Sequence, residues 1–147
     1  MHVIDHLTEE HRAIERMLRE LKGVTAGSQR QRLLFELSTS LKTHMAVEER
    51  FIYPLIAEHL DGEQADDATD EHVLARDGLA AAEERLDEGA FEAAIETLEA
   101  GIKHHVEEEE QELFPELRTK AAGELDAMEP RRLEAEERSS GDPVTRD

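Results

Sequence analysis

The feature that most constrains this chain is a set of polar residues repeating at a fixed interval on otherwise apolar stripes. His44-Met-Ala-Val-Glu-Glu-Arg-Phe-Ile-Tyr-Pro54 and His105-Val-Glu-Glu-Glu-Glu-Gln-Glu-Leu-Phe-Pro115 both read His-x-x-x-Glu-Glu-x-x-aliphatic-aromatic-Pro. A shift of 61 residues superposes them. The same shift, without gaps, carries Glu10-His11 onto Glu71-His72, Leu18 onto Leu79, Leu34 onto Ile95, Leu37 onto Leu98 and Leu41 onto Ile102. The chain is a tandem duplication. Each half carries one His followed, 33 residues later, by His-x-x-x-Glu.

Apolar residues at alternating steps of three and four predict four amphipathic helices. The first, about 3 to 23, carries Ile4, Leu7, His11, Ile14, Leu18 and Leu21 on one face. The second, about 29 to 60, carries Leu34, Leu37, Leu41, His44, Glu48, Phe51 and Leu55; Ser28 is its expected N-cap. Pro54 should kink it, because a mid-helix proline removes one backbone bond. The third, about 64 to 87, aligns Ala65, Ala68, His72, Ala75, Leu79, Ala82 and Leu86. After a turn at Glu88-Gly89, the fourth, about 90 to 121, aligns Phe91, Ile95, Leu98, Ile102, His105, Glu109 and Leu113. Short links imply antiparallel neighbours. The expectation is an all-α, up-down-up-down four-helix bundle over residues 1–123. Residues 124–147 are expected to form an acidic C-terminal tail, with a short helix near Met128–Leu133 and disorder from Ser139.

Composition narrows the function classes. The 147 residues hold 37 Asp and Glu against 17 Lys and Arg, a net charge of −20. That charge repels nucleic acid and anionic membranes but not cations. Cysteine is absent, which removes disulfides, thiolate metal sites and cysteine nucleophiles. There is no apolar run of membrane-spanning length and none of signal-peptide type at the N-terminus, so a cytoplasmic location is expected.

His11, His44, Glu48, His72, His105 and Glu109 stand where apolar side chains would pack. Buried carboxylates and imidazoles need compensation, which metal cations supply. Thirteen residues lead from His11 to the turn near 24, and sixteen lead back from 28 to His44. At ~1.5 Å per residue these are roughly 20 Å and 24 Å, so the two meet at similar height. His and Glu four apart share a helix face. Imidazole and carboxylate donors with open positions point to iron, with manganese or zinc as alternatives. Glu107 and Glu108 read as solvated surface. Glu49 and Glu110 repeat beside the stripe, either as surface residues or as partners of the ligands. His2, His6, His59 and His104 have no repeat partner and read as surface.

The motif set His, His-x-x-x-Glu, His, His-x-x-x-Glu, over about residues 3 to 121, resembles the hemerythrin-like HHE cation-binding family. The resemblance implies two iron ions joined by Glu48 and Glu109 and by an oxo or hydroxo group. His11 and His44 would hold one iron, and His72 and His105 the other. Oxygen-carrying members have His-x-x-x-His on the third helix; here the fourth residue after His72 is Arg76, and its repeat partner is Glu15. The departure leaves more coordination positions open, for which Glu15 and Tyr53 are candidates, and it argues against dedicated oxygen storage. The leading expectation is a di-iron protein that binds O2, NO or peroxide, in sensing or in oxidative and nitrosative stress. The competing expectations are a catalase-like, NO-reducing or ferroxidase enzyme, and an iron-responsive interaction module. Members that repair iron centres carry an additional cysteine-containing N-terminal region, which has no counterpart here.

Overall fold

The structure is a computed structural model that describes residues 1–87 and 89–141, with side chains described up to 139. Helix is the only regular secondary structure among these residues. Four rods form an antiparallel bundle. The first is α1 (Val3–Lys22). The second is α2 (Ser28–Val47) continued through a π-helical turn (Glu48–Ile52) into α3 (Tyr53–His59). The third is α4 (Gly62–Glu84). The fourth is α5 (Ala90–Glu108) continued through a second π-helical turn (Glu109–Leu113) into α6 (Phe114–Lys120). Within each repeat α1 packs on α2 and α4 on α5, and the halves meet through α1–α5 and α2–α4 contacts. No helix among the described residues is long and apolar enough to cross a membrane.

The two prolines act differently from the simple kink expected. Pro54 and Pro115 lack the N–H that an α-turn would use. The turn before each one widens, so that Tyr53 N–H reaches back five residues to Glu48 O and Phe114 N–H to Glu109 O. Each widened turn begins at the Glu of a His-x-x-x-Glu motif. Ser28 is also not the N-cap of α2. Gly27 holds that place at φ 138°, a left-handed conformation that only glycine adopts without strain, and Ser28 is the first helical residue.

The core lies in two apolar blocks. Toward the chain termini, Ile4, Leu7, Ile52, Ile56, Ala68, Leu113, Phe114 and Leu117 pack together. Toward the two interhelix loops, Ile14, Leu18, Leu37, Leu79, Phe91, Ile95 and Ile102 do the same. Buried Arg30 joins those loops by donating to Leu86 O (2.9 Å) and Val24 O (3.1 Å), its guanidinium 4.3 Å above the Phe91 ring. The repeat's polar stripe residues fall between the two blocks.

After the bundle come α7 (Ala122–Asp126) and α8 (Pro130–Gly141). Leu133 is buried in the terminal block and α8 packs against α2, so the helix runs past the short one expected and through Ser139. The tail from 142 lies outside the described residues, as does Glu88 of the expected turn.

Candidate metal centre

Four imidazoles and two carboxylates fill one layer across the bundle. His11 comes from α1, His44 from α2, His72 from α4 and His105 from α5; Glu48 and Glu109 open the two π-helical turns. All six are buried, and both carboxylates are 0% exposed. Their donor atoms form two overlapping groups: His11, His44, Glu48 and Glu109 in one, and His72, His105, Glu48 and Glu109 in the other. In each group the ligand atoms lie within 4.8 Å of one another. The two His rings within each group are 4.8 Å apart, centroid to centroid.

A ring of outer carboxylates aims the imidazoles. His11 Nδ1 donates to Glu110 (2.6 Å), His44 Nδ1 to Glu10 (2.8 Å), His72 Nδ1 to Glu49 (2.6 Å) and His105 Nδ1 to Glu71 (2.6 Å). Fixing the proton on Nδ1 turns every Nε2 lone pair toward the centre of the layer, as in carboxylate–histidine–metal arrangements. The four carboxylates are themselves two repeat pairs, Glu10 with Glu71 and Glu49 with Glu110. Arg12 holds Glu110 in turn, and Arg76 holds Glu49 at 2.9 Å.

The inner atoms are incompletely paired. His11 Nε2, His44 Nε2, Glu48 Oε2 and Glu109 Oε1 are buried without a hydrogen-bond partner. His11 Nε2 lies 3.1 Å from Glu109 Oε1, yet the two are not aligned to bond each other. Orphaned buried donors and acceptors cost about 1–3 kcal/mol each. A cation among them would satisfy them together. In the second group Tyr53 enters the layer: its hydroxyl donates to Glu109 Oε2 (2.6 Å) and lies 2.9 Å from both His72 Nε2 and His105 Nε2. Phe114, its repeat partner, has no hydroxyl and stacks parallel to His11 at 6.0 Å. The two halves of the site are therefore chemically unequal.

Electrostatics follow from this packing. Burial alone would push His44 down, but the charge of Glu48 and hydrogen bonds to Glu10 and Glu48 raise it to about 10. Burial is likewise outweighed at His105, where Glu109 and Glu71 raise the imidazole to about 12. Burial works against ionised Glu48, but the surrounding imidazoles hold it well below the usual carboxylate range. Burial and the charges of Glu109 and Glu48 push the Tyr53 phenol well above its ordinary value.

The other residues singled out in the sequence take outer places. Glu15 does not enter the layer; it pairs with Arg12 at 2.6 Å on the side of α1. Arg76 turns outward to Glu49, so it braces His72 from behind. His104 is exposed, His2 caps α1 by accepting from Ile4 N–H (3.1 Å), and His59 contacts Glu124 (2.5 Å). His6 is half-buried and joins Glu10 (3.2 Å) to Glu134 of α8 (2.7 Å). Sequence reasoning assigned no role to Glu10 and Glu71. Their signal was present, since each precedes a stripe His and the pair obeys the 61-residue shift.

Residues 2–117 match the hemerythrin HHE cation binding domain, and the chain belongs to that family. The family and the buried His and Glu cluster together support a metal cofactor in this layer. No curated protein and no solved structure gives a significant match to the chain.

A pH dependence follows for the metal-free protein. His44 and His105 have raised values when folded, so the native state holds their protons more tightly than the unfolded chain, where imidazole titrates near 6.5. Their contribution to stability is full below pH 6.5 and is lost as pH rises through about 10 and about 12. Metal-free protein should melt at progressively lower temperature from pH 7 to about pH 10, while metal-loaded protein, with cations in place of those protons, should not. Parallel melting curves for the two forms over that range would contradict this electrostatic account.

Proposed function

We propose that the chain is a di-iron protein that binds a small ligand, O2, NO or peroxide, and acts in the cytoplasm in sensing or in oxidative and nitrosative stress. The observation that carries the reading is the pair of donor groups sharing Glu48 and Glu109. Each offers two imidazoles and carboxylate oxygen, close to the two-His, one-carboxylate set typical of non-haem iron with open positions. On this reading His11 and His44 hold one iron, His72 and His105 the other, and Glu48 and Glu109 bridge them. Iron would supply redox-active positions for the small ligand. The chain supplies the rest: Glu10, Glu49, Glu71 and Glu110 orient the imidazoles, and two apolar blocks limit access of water. Manganese or zinc would fit the same donors less specifically.

Turnover is the second reading, as a catalase-like, NO-reducing or ferroxidase enzyme. Tyr53 favours it, since a phenol against His72, His105 and Glu109 offers an added donor or a proton at one iron only.

Ligand identity can be separated from surface charge. Glu109→Ala should lose metal, whereas Glu108→Ala, on the neighbouring half-buried residue beside His104, should keep it. Equal metal loss in both variants, by elemental analysis, would remove Glu109 from the ligand set.

The functional reading is tested on protein whose content should be two iron ions per chain. NO, O2 and H2O2 are added in turn to its reduced and oxidised forms, with visible absorption and gas evolution followed. A persistent, reversible change with NO and no turnover supports binding or sensing. Rapid O2 evolution from H2O2, diminished in Tyr53→Phe, would instead establish the enzymatic reading. One metal per chain, zinc throughout, or no spectral response to any of the three would refute a reactive di-iron site.

A further inference from the structure

The two repeats differ most on their outer faces. In the first, the groove between α1 and α2 is lined by Ile14 and Met17, borders Glu134 and Arg138 of α8, and holds a space of about 290 Å³. In the second, the equivalent positions are Ala75 and Gly78, and Ser40 is replaced by Gly101. Leu98 packs against Gly78, where a Cβ would meet its Cδ1 at 3.1 Å, while Gly101 faces open space; a cavity of about 480 Å³ lies between α4 and α5. Leu98, Ile102, Leu41 and Ile14 wall it, and its inner end is formed by His11, His44, His72 and His105. At the mouth, Leu74 is 70% exposed, although its counterpart in the first repeat is only Ala13.

Such a space is far larger than a diatomic ligand needs. A water occupies about 30 Å³, and pockets for small organic molecules run from about 300 to 1,000 Å³. The walls offer dispersion and apolar burial, and the polar end lies where the imidazoles meet. Exposed Asp77, and Glu71 where it braces His105 at the inner end, disfavour an anionic ligand. They also disfavour a second copy of this chain, which carries the same net charge of −20.

We propose that the α4/α5 groove is a binding pocket for an apolar organic molecule with a single oxygen donor, its oxygen at the imidazole end and its uncharged tail toward Leu74. The oxygen end rests on the di-iron reading; the apolar walls do not. The pocket defines the ligand class of the centre as larger than O2 or NO alone.

Straight-chain alcohols probe it. Calorimetric titration of iron-loaded protein with 1-butanol, 1-hexanol and 1-octanol should show one site per chain. Affinity should rise by about threefold to fourfold per methylene, and 1-octanol should shift the visible absorption of the iron centre. Gly101→Leu should plug the mouth. A side chain there meets nothing within 4 Å at its Cβ, and leucine strengthens the helix, so the variant should fold and retain its metal. It should bind 1-octanol at least about tenfold more weakly. Metal-free protein should still bind the alcohols with the same length dependence. That result in a preparation unable to hold iron would sustain the pocket while the di-iron reading fell. Absence of saturable binding, affinity independent of chain length, or equal binding by Gly101→Leu would overturn the proposal. So would a concentration-dependent dimer that 1-octanol does not dissociate, which would assign the groove to a second copy.

Discussion

Everything in this bundle depends on one charged layer being held inside an apolar core. Two fully buried carboxylates, Glu48 and Glu109, and four imidazoles sit between two blocks of aliphatic packing. Isolated, such groups would be expelled or neutralised. They are retained because each imidazole is tied from behind to an outer carboxylate and faces its neighbours in front. The arrangement converts the cost of burying charge into orientation. With Nδ1 engaged, Nε2 is the nitrogen left facing the centre, unpartnered at His11 and His44 and beside the Tyr53 hydroxyl at His72 and His105.

Duplication explains how one chain builds a site with approximate twofold character. The same residue type performs the same task in each half: Glu10 and Glu71 brace the His on α2 and α5, and Glu49 and Glu110 brace the His on α1 and α4. Several departures from that symmetry lie beside the layer. Tyr53 replaces Phe114, Gly78 replaces Met17, and α8 packs against the first half. Together they leave the two halves of the layer chemically unequal, with a hydroxyl against His72 and His105 and an apolar ring against His11. The π-helical turns belong to the same economy, because a proline six residues beyond each Glu forces the turn to widen where the carboxylate enters the layer.

The bundle was legible in the sequence because apolar stripes of helical period report burial directly, and six polar residues on those stripes could not be surface. What the stripes do not report is the chain's response to a local conflict. Pro54 signalled a break, but whether the backbone kinks or takes in an extra residue depends on the packing of Ile52 and Tyr53 against the terminal block, which is tertiary information. Glu10 and Glu71 were hidden for a related reason. They lie one step off the stripe, where a carboxylate usually meets water, and their partners are on other helices. Arg76 was legible as a departure from the oxygen carriers, but its destination at Glu49 was not. A short helix near Met128–Leu133 was legible, but the full length of α8 was not, because buried Pro130 and Leu133 anchor a segment whose composition is otherwise that of a solvated tail.

The account stands or falls on whether two cations share Glu48 and Glu109. X-ray absorption at the iron edge of the loaded protein measures this most directly, because a second metal across a carboxylate bridge scatters distinctly from light atoms. The proposed di-iron centre would give a nitrogen and oxygen first shell and a metal–metal vector of about 4 Å or less. An isolated metal with that first shell and no neighbouring metal would contradict the shared-carboxylate centre and reduce the layer to a mononuclear site.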